Sequence, residues 1–402
     1  MGSGGGLFYT GTSTFTSEDG DNGTLAKATA GGVTTFTYST PDGHRLRLDV
    51  YEPLQKARAG ERRPAVLQIH GGGWVIGSKD QQGIPLLNHL ASCGWVGFNI
   101  DYRLSPKVKY PDHLVDCKRA LAWIREHADE YSVDPDFVVV TGGSAGGHLC
   151  ALVALTQNDE RFQPGFEDAD TSVQAAVPFY GVYDMLDRNG DHNEVFGQFV
   201  ERMVMGVSPD QDEELWRNYS PVDHVRADAP PMFVIHGDRD VLVPVGGART
   251  FVEELRAVSD SPVVYAEMVG GQHAFEVFPS ARAVRTVEAV ERFLHHEHTK
   301  YLDARAAAGD VDGDGRPDVV GSWFDYSDWT VNLGVLAVRP SVITVSAATS
   351  GGRPSIVTAA SPLITAVTAA MEPLRVHRAR RLSAKFLCGE KGVCWFTAAS
   401  SS

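Results

Sequence analysis

The stretch FVVVTGGSAGGHL, residues 137–149, decides the fold of this chain. Its β-branched first half predicts a strand, and the small residues from Gly146 onward predict a helix that begins directly after that strand. Glycines on both sides of Ser144 suit the sharp strand-to-helix turn that lifts a serine hydroxyl clear of a sheet. Ser144 is therefore a candidate nucleophile. A glycine-rich turn that holds phosphate at the helix N-terminus is the alternative, and the absence of a lysine and of G-x-G-x-x-G spacing disfavours it.

Short apolar strands and helical stretches alternate on both sides of this turn. Further strands are predicted at PAVLQIH, GWVGFNIDY, VQAAVPFYG, PMFVIHGD and VVYAEMVG, and helices at residues 84–91, 112–131, 146–155 and 281–296. Ahead of them, VTTFTYST and HRLRLDVYEP flank Pro41-Asp42-Gly43 and predict a β-hairpin with one solvated face. Because strand–helix alternation favours parallel strands with right-handed crossovers, we expect a doubly wound, mostly parallel α/β sheet with its site at the carboxyl ends of the strands.

Composition and hydrophobic periodicity divide the chain into three parts. Residues 1–32 are rich in Gly, Ser and Thr and are predicted to be a flexible tail, because they bury too little apolar surface to offset the entropy of ordering. Residues 33–301 form the predicted α/β domain. Within it, residues 182–230 interrupt the strand–helix rhythm and are predicted to be a helical lid inserted between two strands. Residues 302–402 lose the periodicity and are predicted to be a poorly ordered C-terminal tail.

Composition and charge narrow the classes of partner. The chain has 402 residues, of which 43% are apolar, and a net charge of −15, so it can bury a sizeable core but repels nucleic acid and anionic membranes. Its five cysteines are too scattered for a disulfide framework and predict free thiols in a reducing compartment. No signal peptide and no apolar run of about 18 residues is visible, so we expect a cytoplasmic chain without an integral membrane segment.

Residues 70–74 read HGGGW and follow the strand PAVLQIH. Acyl transfer passes through a tetrahedral oxyanion, which preorganised N–H donors stabilise by roughly 3 kcal/mol each. Consecutive glycines let bare backbone amides approach such an oxygen, and the amide of Ala145, directly after the candidate nucleophile, offers another donor. A flexible loop is the alternative, but it does not explain why this loop and the serine turn occur together in this order.

A nucleophilic serine needs a base, and the base needs a carboxylate that orients it. His273 stands in GGQHAF just past the strand VVYAEMVG, and Asp240 stands in HGDRDVLVP just past the strand PMFVIH. Both therefore lie at carboxyl ends of predicted strands, and the chain order Ser, Asp, His fits this type of sheet. Asp238 is the competing carboxylate, which we interpret as a turn residue. A surface histidine with satisfied hydrogen bonds is the alternative for His273.

Several motifs together resemble one protein family. HGGGW, the following DYRL and PD, GGSAGGHL, HGDRDVLVP and GGQHAF are similar to the bacterial esterase and lipase branch of the α/β-hydrolase superfamily. That branch is related to hormone-sensitive-lipase-like carboxylesterases and, more closely, to actinobacterial carboxylesterases of the Lip type. The resemblance covers about residues 33–298 and implies an α/β-hydrolase fold. It also implies Ser144 as nucleophile, Asp240 and His273 as its partners, and the amides of Gly72, Gly73 and Ala145 as oxyanion donors.

One position departs from the family pattern. Many hormone-sensitive-lipase-like members carry Asp or Thr directly before the nucleophile, where this chain has Gly143. The departure leaves the subfamily and the substrate open.

We expect a serine carboxylic-ester hydrolase that acts on small-molecule esters of short to medium acyl chains and needs no cofactor. Two alternatives stay open: an arylformamidase-like amidase, which shares the HGG-x-W and G-x-S-A-G-x-H-L patterns, and a non-enzymatic interaction protein on a hydrolase scaffold. Arg103 opens a loop and is expected to form a structural ion pair with Asp112 or Asp116. Four aromatic residues are expected to wall the acyl pocket, each with a place in the core as its alternative: Trp74, Tyr180, Tyr183 and Phe196.

An acidic stretch after residue 309 resembles a calcium loop. Asp310, Asp312, Asp314 and Asp318 stand at its positions 1, 3, 5 and 9. Calcium prefers several oxygen ligands around one sharp turn, but the glutamate expected at position 12 is replaced by Gly321. A solvated acidic turn is therefore the favoured interpretation, and no metal is expected.

Overall fold

A computed structural model describes residues 32–192 and 194–308 continuously and, outside them, only short strands. The chain divides into two compact units, Met1–Glu297 and His298–Ser402, and the first holds the central sheet. Most of both predicted tails lies outside the described residues, so the domain boundaries at 32 and 302 stay predictions. The short strands described there are Leu7–Tyr9, Phe15–Ser17, Asn22–Gly23, Val319–Asp325, Thr330–Leu336, Val338–Arg339, Val342–Ser346, Ile356–Ala359, Leu382–Cys388 and Cys394–Ser400.

Eight strands form the central sheet, in the order β8-β7-β6-β5-β3-β4-β2-β1. The pairs β1–β2 and β2–β4 are antiparallel, and all other neighbours are parallel. The predicted doubly wound, mostly parallel sheet is confirmed. The strands are β1 (Gly32–Ser39), β2 (Leu46–Glu52), β3 (Arg63–Ile69), β4 (Val96–Ile100), β5 (Val133–Gly143), β6 (Ala176–Phe179), β7 (Met232–Gly237) and β8 (Val263–Met268).

The strand order reverses between β3 and β5. After β3 the chain crosses to β4 on one side, and it then returns to β5 on the other side of β3. Loops that leave the carboxyl ends of two such strands diverge and open a crevice, which is where ligands bind in open α/β sheets. Both strands are buried between helices, and the register pairs Ile69 with Gly142 at their ends. The crevice therefore opens between the HGGGW loop and Ser144.

The predicted β-hairpin at the sheet edge is confirmed, but its solvated face is not. Leu46, Leu48 and Val50 are buried as expected, yet Asp49 and Tyr51 on the opposite face are buried as well. Lys79 explains the difference, because its Nζ lies 2.8 Å from Asp49 Oδ2 and only 4% of the residue is exposed. The loop that carries Lys79 thus covers the face that the alternation assigned to solvent.

Seven α-helices accompany the sheet in the described residues. The second of them ends at Glu126 rather than at Tyr131, and Ser132 then adopts a left-handed φ of 55°, which a helix does not accommodate. The last helix continues past His296, because the alanines near its end are strong helix formers. The helices are α1 (Ile84–Ser92), α2 (Asp112–Glu126), α3 (Ala145–Leu155), α4 (Glu194–Phe199), α5 (Glu213–Asn218), α6 (Gly246–Val258) and α7 (Ala281–Ala308).

The helical insertion predicted at 182–230 lies between β6 and β7. It comprises α4, a π-helical turn at Val200–Met205, α5 and a 3₁₀ turn at Pro221–His224. Lys109 fastens it to the loop before α2, since its Nζ donates to the carbonyl oxygens of Arg202 at 2.7 Å and of Met203 at 2.6 Å. None of the helices in residues 32–192 and 194–308 combines the length and apolar character that crossing a membrane requires.

Candidate active site

Ser144 occupies a strained turn between β5 and α3. Its backbone has φ 59° and ψ −122°, a region that residues with a side chain rarely adopt. The Ser144 amide donates to the Phe179 carbonyl at 3.0 Å, and the His148 amide donates to the Ser144 carbonyl at 2.9 Å. The end of β6 and the first turn of α3 thus hold the backbone in this conformation, which the sequence predicted from its glycines.

The flanking glycines are required by close backbone contacts. A Cβ on Gly146 would lie 2.1 Å from the Ile69 carbonyl oxygen, at the end of β3. A Cβ on Gly142 would lie 2.4 Å from the Gly146 carbonyl oxygen. Helix α3 therefore packs against the sheet at a distance that only hydrogen in place of a side chain permits.

The structure brings Ser144, His273 and Asp240 together. His273 Nε2 lies 2.9 Å from Ser144 Oγ, and His273 Nδ1 lies 2.6 Å from Asp240 Oδ2. Because a carboxylate only accepts hydrogen bonds, Nδ1 carries the imidazole proton and Nε2 is free to accept the serine proton. The geometry is that of a nucleophile, a base and an orienting carboxylate.

Hydrogen bonds keep Asp240 ionised. Its Oδ1 accepts from the amides of Leu242 at 2.9 Å and Val243 at 2.8 Å. Burial pushes the pKa of Asp240 upward, but the neighbouring His236 and His273 outweigh burial and hold the pKa well below its usual range. His236 is fully buried; its Nε2 donates to the Val243 carbonyl at 2.8 Å and lies 3.5 Å from Asp240 Oδ2. The sequence analysis missed His236, although it stands in the HGD motif.

Asp238, the competing carboxylate, caps a turn. Its Oδ1 accepts from the Gly270 amide at 2.6 Å, and its own amide donates to the Met268 carbonyl at 3.2 Å. These contacts tie the end of β7 to the end of β8. Its placement agrees with the interpretation of Asp238 as a turn residue.

The HGGGW loop lies directly against the candidate nucleophile. A Cβ on Gly71 would be 3.1 Å from Ser144 Cβ, and Gly72 and Gly73 have φ of 112° and 59°. Gln82 anchors the loop, since its Oε1 accepts from the Gly71 amide at 2.6 Å. Among the described residues, no hydrogen bond takes up the amides of Gly72, Gly73 or Ala145. These three amides are therefore available as candidate oxyanion donors.

A buried hydrogen-bond chain joins the HGGGW loop to helix α3. Trp74 Nε1 donates to His148 Nδ1 at 3.3 Å, and His148 Nε2 donates to the Tyr219 carbonyl of the insertion at 2.7 Å. Burial lowers the pKa of His148 to about 3, which fits a neutral ring that accepts at one nitrogen and donates at the other. The HGGGW and GGSAGGHL motifs are thus joined by this chain of hydrogen bonds.

The four aromatic residues predicted for the acyl pocket lie in different surroundings. Trp74, Tyr180 and Tyr183 are fully buried, and Tyr183 stacks on Phe251 with ring centroids 4.4 Å apart. Phe196 is half-buried on the insertion beside His192. Their part in substrate binding stays a prediction. Phe199, which the sequence analysis did not assign to the pocket, comes closer to the loop, with ring atoms 3.4 Å from where a Gly73 Cβ would stand.

The sequence also predicted an ion pair of Arg103, free cysteines and no metal site. Arg103 pairs with both predicted partners, at 2.9 Å from Asp116 and 3.3 Å from Asp112. Within the described part of the chain, no group of three or more His, Cys, Asp or Glu side chains could hold a metal. The acidic stretch 310–318 lies outside the described residues and stays a prediction. Cys93, Cys117 and Cys150 are free thiols.

The chain is similar to several known proteins. The BD-FAE family model matches residues 48–255, which include Ser144 and Asp240. A probable carboxylic ester hydrolase, LipM, of Mycobacterium tuberculosis is 54% identical over 231 residues, 58% of this chain and 54% of that protein. The esterase LipQ of the same organism is 42% identical over 265 residues, 66% of this chain and 62% of that protein. The chain thus spans 54% and 62% of the lengths of these two relatives.

A solved structure is similar as well. The thermophilic esterase Est2 of the Planctomycetes species Thermogutta terrifontis, determined with propionate bound, is 31% identical with a TM-score of 0.56, covering 66% of this chain and 94% of that one. Its overall fold is similar to the α/β fold described above. The chain belongs to the BD-FAE family of α/β-hydrolases.

Proposed function

We propose that this protein is a serine carboxylic-ester hydrolase that works through an acyl-enzyme on Ser144. The observation that carries the proposal is the continuous hydrogen-bonded series from Ser144 Oγ through His273 to Asp240, at 2.9 Å and 2.6 Å. Esterases among the relatives and solved structures support the same reaction class. A serine that only shaped a turn, or a histidine that only lay at the surface, would not require these two consecutive hydrogen bonds.

Proton transfer through His273 drives both halves of the proposed reaction. Neutral His273 takes the Ser144 proton at Nε2 as the oxygen attacks the acyl carbon, and Asp240 stabilises the imidazolium that forms. His273 then returns the proton to the alcohol oxygen as the ester bond breaks. Water repeats the sequence on the acyl-enzyme and releases the acid, so the serine is regenerated.

The amides of Gly72, Gly73 and Ala145 are the proposed oxyanion donors. Ala145 directly follows Ser144, and Gly72 and Gly73 follow Gly71, whose Cβ would lie 3.1 Å from Ser144 Cβ; none of the three amides makes a hydrogen bond to another described residue. Donors fixed in place before the reaction stabilise the developing charge without reorganisation, which is where most of the rate acceleration of acyl transfer originates. The supports from Gln82 and His148 hold the loop in that position.

The proposed substrates are small esters of short to medium acyl chains. Phe199 packs close to Gly73, so the insertion narrows the crevice beside the candidate oxyanion donors. The Thermogutta esterase was solved with propionate, a short-chain carboxylate, bound. We therefore place the acyl group of the ester between the HGGGW loop and the insertion.

Rates on p-nitrophenyl acetate, butyrate, octanoate and palmitate, compared with an N-formyl aryl amide, test the proposal. We expect kcat/KM to be highest for acetate or butyrate, low for palmitate and lowest for the amide, with activity abolished in Ser144→Ala. Faster cleavage of the formamide would favour an arylformamidase-like amidase instead. Turnover in wild type that survives Ser144→Ala would overturn the assignment of the nucleophile, and no turnover would favour a non-enzymatic role.

A further inference from the structure

Glu276 forms a partly buried contact beside the triad that the proposed mechanism does not use. It stands three residues after His273, and the Tyr180 hydroxyl donates a hydrogen bond to its Oε1. Its other oxygen, Oε2, is buried and has no hydrogen-bond partner among the described residues. A carboxyl group placed so close to the base, and paired with a single tyrosine, calls for a reason beyond packing.

Tyr180 links this carboxyl to the catalytic imidazole. Its ring meets the His273 ring edge-on, with centroids 4.7 Å apart and planes at 60°. Tyr180 is fully buried, and its amide donates to the Ile235 carbonyl at 2.7 Å although its φ is +35°. A bulky residue at positive φ is a strained arrangement that surrounding contacts must enforce. The ring is thus fixed at its backbone by β7 and at its hydroxyl by Glu276.

Gly143 makes room for the tyrosine hydroxyl. A Cβ at this position would lie 2.7 Å from Tyr180 Oη and 3.1 Å from its Cζ. Gly143 directly precedes Ser144 and departs from the Asp or Thr of the hormone-sensitive-lipase-like pattern. The Tyr180 hydroxyl, which contacts Glu276, therefore occupies the space that a side chain at position 143 would need.

The loop that carries His273 is fixed by hydrogen bonds before the histidine, at Gly270 and Gly271, and packs more loosely after it. Between residues 269 and 280 only Gly271 is buried, and Val269 and Phe278 are 81% and 73% exposed. A turn closed by the Val277 amide on the Ala274 carbonyl at 3.2 Å directs Glu276 back toward the sheet. The side chain then lines a small cavity with Gln68, Gln82 and Gly143. The hydrogen bond from Tyr180 to Glu276 thus holds the part of the loop that follows His273.

We propose that Tyr180 and Glu276 are positioning residues that hold the His273 imidazole in line with Ser144 and Asp240. This inference rests on the proposed function, since His273 must act as the base for its position to matter. A reaction that depends on two short hydrogen bonds loses rate steeply when the base shifts by a fraction of an ångström. Removing either partner should therefore lower kcat and leave substrate binding nearly unchanged.

The chain supplies a matched pair for the control. Tyr265 donates from its hydroxyl to Glu267 Oε2 at 2.9 Å on the outer strand β8, where Glu267 also pairs with Arg249. Tyr265→Phe and Glu267→Gln remove the same chemical groups away from the triad. Tyr180→Phe, Glu276→Ala and Glu276→Gln are the test variants, of which Glu276→Gln retains an acceptor for the tyrosine hydroxyl.

Three readouts on these variants test the inference: kcat and KM on p-nitrophenyl butyrate, the rate of phosphonylation of Ser144 by a fluorophosphonate, and the downfield NMR proton of the His273–Asp240 hydrogen bond. For Tyr180→Phe and Glu276→Ala we expect kcat and the phosphonylation rate to fall about 10- to 100-fold, with KM within about twofold. Glu276→Gln should recover most of the rate. The downfield proton should shift in Tyr180→Phe and stay in place in the β8 controls.

The outcomes separate this inference from the proposed function. Wild-type rates, or losses equal to those of the β8 controls, would overturn the positioning role while ester turnover stands. A higher KM at unchanged kcat would overturn it as well and assign Tyr180 to the pocket wall. If wild type turned over no ester, the proposed function would fail, and the NMR proton, which needs no substrate, would still decide whether the pair sets the position of His273.

Discussion

Ser144 and His273 meet at the carboxyl ends of the strands, but the segments that carry them differ in how deeply they are buried. Every residue from 141 to 150 except Ser144 is buried, and the turn is fixed by backbone contacts between β3, β6 and α3. Between residues 269 and 280 only Gly271 is buried. The serine is thus held by its own backbone, whereas the histidine is held by the side chains that touch its ring.

The difference explains where strain is stored. Ser144 has a φ of 59° within a close-packed core, which over-determines its conformation. Ala274, next to His273, also has a positive φ of 57°, but in a half-exposed loop. There the conformation depends on Asp240, Tyr180 and Glu276 from outside. Changes near the serine should therefore act on folding, and changes near the histidine should act on catalysis.

The largest expected effect concerns the carboxylate that orients His273. Asp240→Asn should lower kcat about 10⁴-fold, because an amide in that place favours the wrong imidazole tautomer and does not stabilise the imidazolium. Asp238→Asn, its control two residues away, should change kcat by less than about tenfold, because the hydrogen-bond partner of the Asp238 side chain among the described residues is the Gly270 amide, outside the triad. Steady-state rates on p-nitrophenyl butyrate measure both.

Comparable losses in the two variants would show that the orienting carboxylate is wrongly assigned. A small loss in Asp240→Asn with a large one in Asp238→Asn would reverse the assignment.

A smaller effect tests the serine side of the comparison. Gly146→Ala should lower the free energy of unfolding by about 3 kcal/mol, because the added Cβ meets the Ile69 carbonyl oxygen at 2.1 Å. In the control, Gly247→Ala near the start of α6, the added Cβ would meet no atom within 4 Å, so this variant should stabilise the protein by up to about 1 kcal/mol. Urea unfolding of both variants measures the difference. Equal stabilities would mean that α3 is free to shift away from the sheet.

The smallest effect we expect is a change in the pH dependence of stability. Burial raises the pKa of Glu276 from its ordinary value of 4.5 to about 7, and the Tyr180 hydrogen bond only partly opposes this. The folded protein then binds more protons than the unfolded chain between these pH values. The stabilisation is fully present below pH 4.5 and is lost as the pH rises through 7.

Glu276→Gln provides the control, because its side chain does not titrate. The neutral side chains of Gln68 and Thr286 line the cavity from β3 and α7, so Tyr180 is the titratable group in contact with Glu276. Urea unfolding from about pH 5 to about pH 8 should show wild type losing stability relative to Glu276→Gln. Parallel pH curves would mean that Glu276 is ionised throughout.

Local sequence patterns predicted the fold and the serine side of the site. Strand and helix periods, the glycines around Ser144 and the HGGGW loop each report contacts between neighbours in sequence or between adjacent strands. For the same reason the order Ser, Asp, His could be ranked from strand ends alone. The missed solvated face of β2 shows the limit, because Lys79 is distant in sequence from the Asp49 that it covers.

The supports of the histidine could not be predicted in this way. Tyr180 and Glu276 meet through a contact that joins the loops after two separate strands, β6 and β8, and neither stands in a pattern that requires its partner. His236 lies only four residues before Asp240, so local reasoning about the HGD motif could have found it. Gly143 was the one available signal, since a departure from the family pattern marks a place where something else occupies the space. A buried carboxyl three residues after the base gains its meaning only once the fold brings Tyr180 against it.

Labelling with a fluorophosphonate, followed by peptide mass spectrometry, shows whether Ser144 is the nucleophile and His273 its base. We expect a single adduct on the peptide that contains Ser144, none in Ser144→Ala, and labelling slowed by orders of magnitude in His273→Ala. An adduct on another serine would rule out Ser144 as the nucleophile, and labelling of His273→Ala at the wild-type rate would rule out His273 as the base.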